Sequence, residues 1–239
     1  MPRKPLILLA LLSLIASFRT HLVQMQWVQG RWSAVSAQSA MPVASNYETD
    51  LDGDGQIERI DLTGGRMSVS RGEESLWSSP PEWNIIGAQT SDLNGDDHPE
   101  VALLVWRPFK PWPIDAWLPH GGRIRDFADA AGQSCHIILW GWDGDEYREL
   151  WAGSAMAEPV LGFLAADWNG DGRQELATVE SSYDYPARAK ALALWKWNGF
   201  GFSLLGRQTA EIGQFVFLTD ASGGPSMLLD SAGDWFFGR

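Results

Sequence analysis

The sequence predicts an all-β chain assembled from repeated four-stranded antiparallel units. Three observations predict it. An acidic segment of nine residues occurs three times, each copy runs directly into a β-type apolar stretch, and Asp-Gly or Asn-Gly hairpin turns alternate with these segments. After residue 20 no segment carries convincing helical periodicity. Repetition of this kind, with short strands between turn signals, is the pattern of a β-repeat domain.

The acidic copies begin at Asp50, Asp92 and Asp167. Position 3 is Asp52, Asn94 or Asn169. Position 5 is Asp54, Asp96 or Asp171, and position 9 is Glu58, Glu100 or Glu175. Position 4 is Gly in every copy, and Gly55 and Gly172 add a second Gly at position 6. The runs that follow are short and β-type: 59–62 alternates charged and apolar residues, and 101–106 and 176–179 are mostly apolar. A second motif alternates with the first. Residues 137–151 and 191–205 each read as strand, turn, strand, with the turns at Asp143-Gly144 and Asn198-Gly199. These dipeptides tolerate the positive φ that a two-residue hairpin turn demands. The order strand, acidic loop, strand, connection, hairpin gives four strands per unit.

The first unit is shorter, with 67–70 and 74–77 as its second half. Residues 215–229 read as a decayed copy that keeps Asp220 and Gly223, and 234–238 as a last strand. Upstream, 23–35 resembles a hairpin around Gln29-Gly30 and is placed to complete the last unit by pairing with the C-terminal segment. The organisation expected is therefore an N-terminal segment at 1–20, a linker or extra hairpin at 21–42, and the repeat domain at 43–239.

The chemistry of the acidic loops points to a hard divalent cation. Calcium takes about 6–8 oxygen ligands, and carboxylates at positions 1, 3 and 5 converge if the chain curls tightly, which the glycines permit. Backbone carbonyls at Gln56, His98 and Arg173 add a ligand, and the Glu at position 9 closes the site. The second copy has Asp97 where the others have Gly, and Pro99 before its Glu, which predicts a more strained and weaker site. A helix-loop-helix calcium site would need Glu at position 12. The residues there are Asp61, Leu103 and Thr178, and the flanks are strand-like. The bland alternative is that these loops are ordinary turns without metal.

The nine-residue loop followed by a β run resembles the FG-GAP/VCBS repeats of integrin-α-type β-propellers, over most of 43–230. The resemblance implies a β-propeller-like array of four-stranded antiparallel blades, about three clear and one degenerate. It also implies calcium, two or three ions, in the loop between the first two strands of a blade. Some polysaccharide lyases resemble this repeat family as well. The alternative to a binding or adhesion module is therefore a polysaccharide-active enzyme, or its carbohydrate-binding accessory.

Composition narrows the remaining classes. The formal net charge of -12 makes nucleic acid an unfavourable partner. The single cysteine, Cys135, has no partner for an internal disulfide. Arg3 and Lys4 precede the mostly apolar stretch 6–18, the pattern of an export signal or of an N-terminal membrane anchor. Both readings place the domain outside the cell or on its surface. Catalytic motifs are lacking: His21, His98, His120 and His136 have no metal-ligand spacing, no Gly-x-Ser-x-Gly elbow is present, and Cys135 and His136 are adjacent, which sends their side chains to opposite faces of a strand. Long connections carry aromatic residues, Trp112 and Trp117 in the second unit, Tyr183 and Tyr185 in the third. These are candidates to meet an extracellular protein or glycan, or else to cover core.

Overall fold

The computed structural model describes residues 22–35, 40–42, 47–110, 127–220 and 224–231. The expected signal or anchor segment, Trp112, Trp117, Gly223 and the strand at 234–238 lie outside them. The described chain is all β, and none of it forms a helix long and apolar enough to cross a membrane. Sixteen strands follow in order: β1 Leu22–Val28, β2 Arg31–Val35, β3 Ala40–Pro42, β4 Glu48–Thr49, β5 Glu58–Thr63, β6 Arg66–Arg71, β7 Glu74–Ser78, β8 Asn84–Ser91, β9 Glu100–Pro108, β10 Gln133–Trp142, β11 Tyr147–Ala152, β12 Val160–Ala166, β13 Glu175–Glu180, β14 Ala189–Trp197, β15 Phe202–Asp220 and β16 Pro225–Ser231.

Pairing groups them into antiparallel meanders. The first unit is the sheet β4-β5-β6-β7 and the second is β8-β9-β10-β11. The third and fourth share one sheet ordered β12-β13-β14-β15-β16-β1-β2, because β15 serves both. Its first half pairs with β14 from Phe202 to Ile212, and its second half pairs with β16 from Ile212 to Thr219. The short β3 also pairs with β15. The N-terminal hairpin completes the last unit as expected: β1 pairs with β16, Met25 opposite Met227. Gln29 and Gly30, at φ 51° and 80°, make its turn.

Period-2 alternation fixes which neighbour each strand faces. On β9, Val101, Leu103 and Val105 join Ile138 and Trp140 of β10 in a core against Ile60, Met67 and Val69 of the first unit. The intervening Ala102 and Leu104 join Cys135, Ile137 and Leu139 in a core against Val160, Ala165 and Leu176 of the third unit. A third core packs Leu164, Val179 and Leu192 on Met25, Met227 and Leu229 of the fourth. Each of these larger side chains, fully removed from water, contributes about 1.5–3 kcal/mol. The β9–β10 ladder is therefore buried on both faces, which explains why it reads as an unbroken apolar run. Most of the described tryptophans belong to these cores or their margins, Trp140 within a ring cluster with Trp77 and Tyr147.

The acidic loops join equivalent strands: β4 to β5, β8 to β9 and β12 to β13. Residues 143–146 and 198–201 make the expected hairpin turns, with Gly144 and Gly199 at positive φ.

Candidate metal centres in the acidic loops

The three loops share one internal scaffold. The apolar residue at position 2 (Leu51, Leu93 or Trp168) is buried and anchors the loop to a core. Beyond it, side-chain oxygens accept the loop's own backbone N–H groups in successive Asx turns. At position 3, Oδ1 of Asp52, Asn94 and Asn169 accepts from the N–H two residues on, at 3.1, 3.0 and 2.8 Å. At position 5, Oδ1 of Asp54, Asp96 and Asp171 does the same at 2.8, 2.9 and 3.0 Å. Asp50 and Asp167 each accept from two glycine N–H groups, the second of them Gly55 or Gly172 at position 6. In the second loop Asp97 holds position 6 at φ 66°. A side chain is disfavoured in that conformation, so the expected local strain is present.

Position 9 has a role the sequence did not disclose. Glu58, Glu100 and Glu175 are the first residues of β5, β9 and β13, and all three are at most 1% exposed. One carboxylate oxygen of each accepts the N–H of position 2, at 2.7 Å for Leu51, 2.7 Å for Leu93 and 3.1 Å for Trp168. That bond ties the loop shut and leaves the other oxygen to be satisfied elsewhere. A buried carboxylate requires a partner.

The partner differs among the loops. In the first, the Arg71 guanidinium at the end of β6 meets Glu58 Oε1 at 2.5 Å, Asp52 Oδ2 at 2.5 Å and Asp54 Oδ2 at 3.2 Å. Burial pushes the Asp52 carboxyl up, but hydrogen bonds from Arg71, the Asp54 N–H and Tyr147 outweigh it and hold the group below its ordinary range. Arg71 is correspondingly raised, first by its hydrogen bonds to Glu58 and Asp52. Tyr147 Oη, from β11 of the next unit, donates to Asp52 Oδ2 at 3.1 Å, so the loop also clamps the first unit to the second.

In the third loop, Lys196 Nζ of β14 lies 2.5 Å from Asp171 Oδ2 and 3.6 Å from Glu175 Oε1. Asn169 Nδ2 donates to the same Glu175 oxygen at 2.6 Å. Asp171 is lowered, chiefly by its bond to Lys196. Among the described residues, no trio of His, Cys, Asp or Glu side chains converges in this loop.

In the second loop, Glu100 Oε1 accepts from Leu93 N–H and from Ser91 Oγ at 2.8 Å, and Oε2 is buried with no hydrogen-bond partner. Burial, with a smaller contribution from the charges of Asp92 and Asp96, pushes the Glu100 carboxyl up to about 7 against the lowering effect of its hydrogen bonds from Leu93 N–H and Ser91. Single oxygens of Asp92, Asp96 and Glu100 lie within 4.8 Å of one another, as do those of Asp50, Asp52 and Glu58 in the first loop. The second loop borders a cleft of about 320 Å³ that Arg173, Gln174, Lys196 and Trp197 of the third unit also line. Gln174 Oε1 accepts the Asp92 N–H at 2.9 Å across it. This all-oxygen donor set fits calcium, with Asp92, Asn94, Asp96, Glu100 and the His98 carbonyl as the residues that would hold it.

Of the aromatic candidates, Tyr183 is half-buried, packs edge-on against Trp106, accepts the Cys135 N–H and donates to the Met156 carbonyl. Tyr185 is 68% exposed. Cys135 is buried and its thiol is pushed up to about 12, the range of an inert side chain. His136 is held between Ser134 Oγ and the Gly153 carbonyl, and burial lowers it to about 4.

No family model matches the chain, and no curated protein matches it. Among solved structures it is similar to the chain in "BBS1N in complex with ARL6DN, soaked with mercury", at 12% identity and TM-score 0.26, over 79% of this chain and 69% of that one. The lead-soaked crystal of the same complex gives 9% identity and TM-score 0.28, over 79% and 71%. At these scores the likeness carries no argument.

Proposed function

We propose that the chain is an exported calcium-binding module, propeller-like in architecture, that acts by binding an extracellular protein or glycan rather than by catalysis. The observation that carries the calcium reading is that Glu100, whose carboxylate converges with those of Asp92 and Asp96, has one buried oxygen without a hydrogen-bond partner. An uncompensated buried carboxylate is costly, and a divalent cation held by the same loop removes that cost. The role of the ion is structural: the loop joins two strands and touches the next unit, so a bound cation would hold the inter-unit joint as well as the turn.

A propeller-like arrangement is supported by a second cavity, of about 360 Å³, lined by all four units, including Leu62, Ile86, Phe163 and Phe217. The second and third units reach it chiefly through their first strands, β8 and β12, the fourth through β15, and the first through Tyr47 and through Leu62 of β5. Of the two described aromatic candidates, Tyr183 and Tyr185, the exposed Tyr185 is the one placed to meet a partner. The deciding experiment is thermal unfolding in a chelator and in calcium. The melting temperature falls in the chelator and recovers on adding calcium, whereas an unchanged value contradicts the reading. A glycan array and release of unsaturated sugars separate a binding module from a lyase.

A further inference from the structure

We infer that a single residue on the neighbouring strand decides whether each acidic loop takes a metal ion, and that the second loop alone takes one. The inference rests on the calcium reading above and narrows it. Strand register supplies the reason. Arg59 pairs with Ser70, so Glu58 at the head of β5 stands opposite Arg71. Leu176 pairs with Trp195, so Glu175 stands opposite Lys196. Val101 pairs with Trp140, so Glu100 stands opposite Gly141. The same lattice point therefore holds a guanidinium, an ammonium and no side chain.

The consequences match the contacts. Arg71 reaches three carboxylates of its loop, and Lys196 reaches two of its own. Each places a fixed positive charge where a cation would sit. Metal entry there requires that charge to leave, against its own ion pairs and the desolvation of the buried Glu. Opposite Glu100 the facing strand supplies no cation, and although Arg173 and Lys196 line the adjoining cleft, Oε2 has no hydrogen-bond partner. The second loop thus has both the acidic cluster and an independent sign of a missing ligand. Gly141 is not there for backbone freedom, because its φ is not positive. An added Cβ would approach Leu150 Cδ1 at 3.2 Å and Glu100 Cβ at 3.4 Å, contacts that small side-chain shifts relieve. A longer side chain can therefore be tested at this point.

The test is calcium titration calorimetry on the full domain, with the melting temperature in chelator recorded for each variant as the control for folding. The wild-type chain binds one ion. Gly141→Lys binds none and loses the calcium-induced rise in melting temperature. Arg71→Met opens the first loop, where oxygens of Asp50, Asp52 and Glu58 already converge, and binds two. Wild-type binding of two or three ions, or unchanged stoichiometry in a folded Arg71 variant, overturns the inference while leaving the calcium reading intact. Absence of binding in the wild-type chain and in every folded variant overturns both.

Discussion

The first and third acidic loops differ from the second in how they neutralise nearly the same nine residues. In the outer two the chain supplies its own cation: Arg71 lies against Asp52, Asp54 and Glu58, and Lys196 against Asp171 and Glu175. In the second loop the equivalent Glu100 keeps an unpaired buried oxygen. The comparison teaches that an acidic loop motif specifies a shape, a nest of Asx turns locked by a buried Glu, while the charge that completes it is set elsewhere. Here that charge comes from the facing strand.

The largest expected effect separates two Glu residues that look alike. In chelator, Glu58→Ala leaves Arg71 beside a buried space it no longer fills with an ion pair, and lowers the melting temperature by roughly 10 °C. Glu100→Gln under the same conditions leaves stability unchanged or raised, since it removes an unpaired carboxylate, and it abolishes the calcium response. Equal losses in the two variants, measured by thermal unfolding in chelator, would break the comparison.

A pH series isolates a buried group unrelated to the loops. His136 is lowered to about 4 by burial, from an ordinary value of 6.5. Its unfolded form binds a proton first, so the stability it contributes is fully present above pH 6.5 and is lost as pH falls towards 4. At about 1.4 kcal/mol per pH unit, the loss is on the order of 3 kcal/mol. The raised Glu100 carboxyl titrates over the same range with the opposite sign, so the His136 contribution is read as the difference in urea stability between the wild-type chain and His136→Gln, which should move against the wild type by this amount between pH 7 and pH 4.

Calcium at about a hundred times its dissociation constant should stabilise the wild-type chain by about 2.7 kcal/mol, as read from urea unfolding in calcium against chelator. The smallest effect is at Asp97, the one loop residue besides Gly held at positive φ among the three copies. Replacing it by Gly, as in the other two, should stabilise by about 0.5–1 kcal/mol in chelator. A loss on that substitution would show that the Asp97 side chain supports the loop.

Much of the fold was legible because turn chemistry and period-2 patterning are local. Asp143-Gly144, Asn198-Gly199 and Gln29-Gly30 mark hairpins that form. The pairing of the N-terminal hairpin with the last unit was readable from the incomplete count of strands. Two features were not legible. The single strand β15 serving both the third and fourth units depends on tertiary pairing at each end, and Gly213 beside the handover at Ile212 does not by itself specify it. The loop cations depend on cross-strand register, although the signal was present. Trp140-Gly141-Trp142 and Trp195-Lys196-Trp197 are aligned hairpin arms that differ at one position, the one opposite Glu100 and Glu175. The second loop was expected to be the weakest site on the strength of Asp97 and Pro99. Its strain is real, but its rivals carry internal cations, a factor that the motif alone does not contain.

The most direct measurement is an anomalous difference map from crystals of the domain grown in calcium. The account predicts one strong peak among Asp92, Asp96 and Glu100, with the Arg71 guanidinium and Lys196 ammonium in place at the other two loops. Peaks at the first or third loop with those side chains swung away, or no peak at the second, would contradict it.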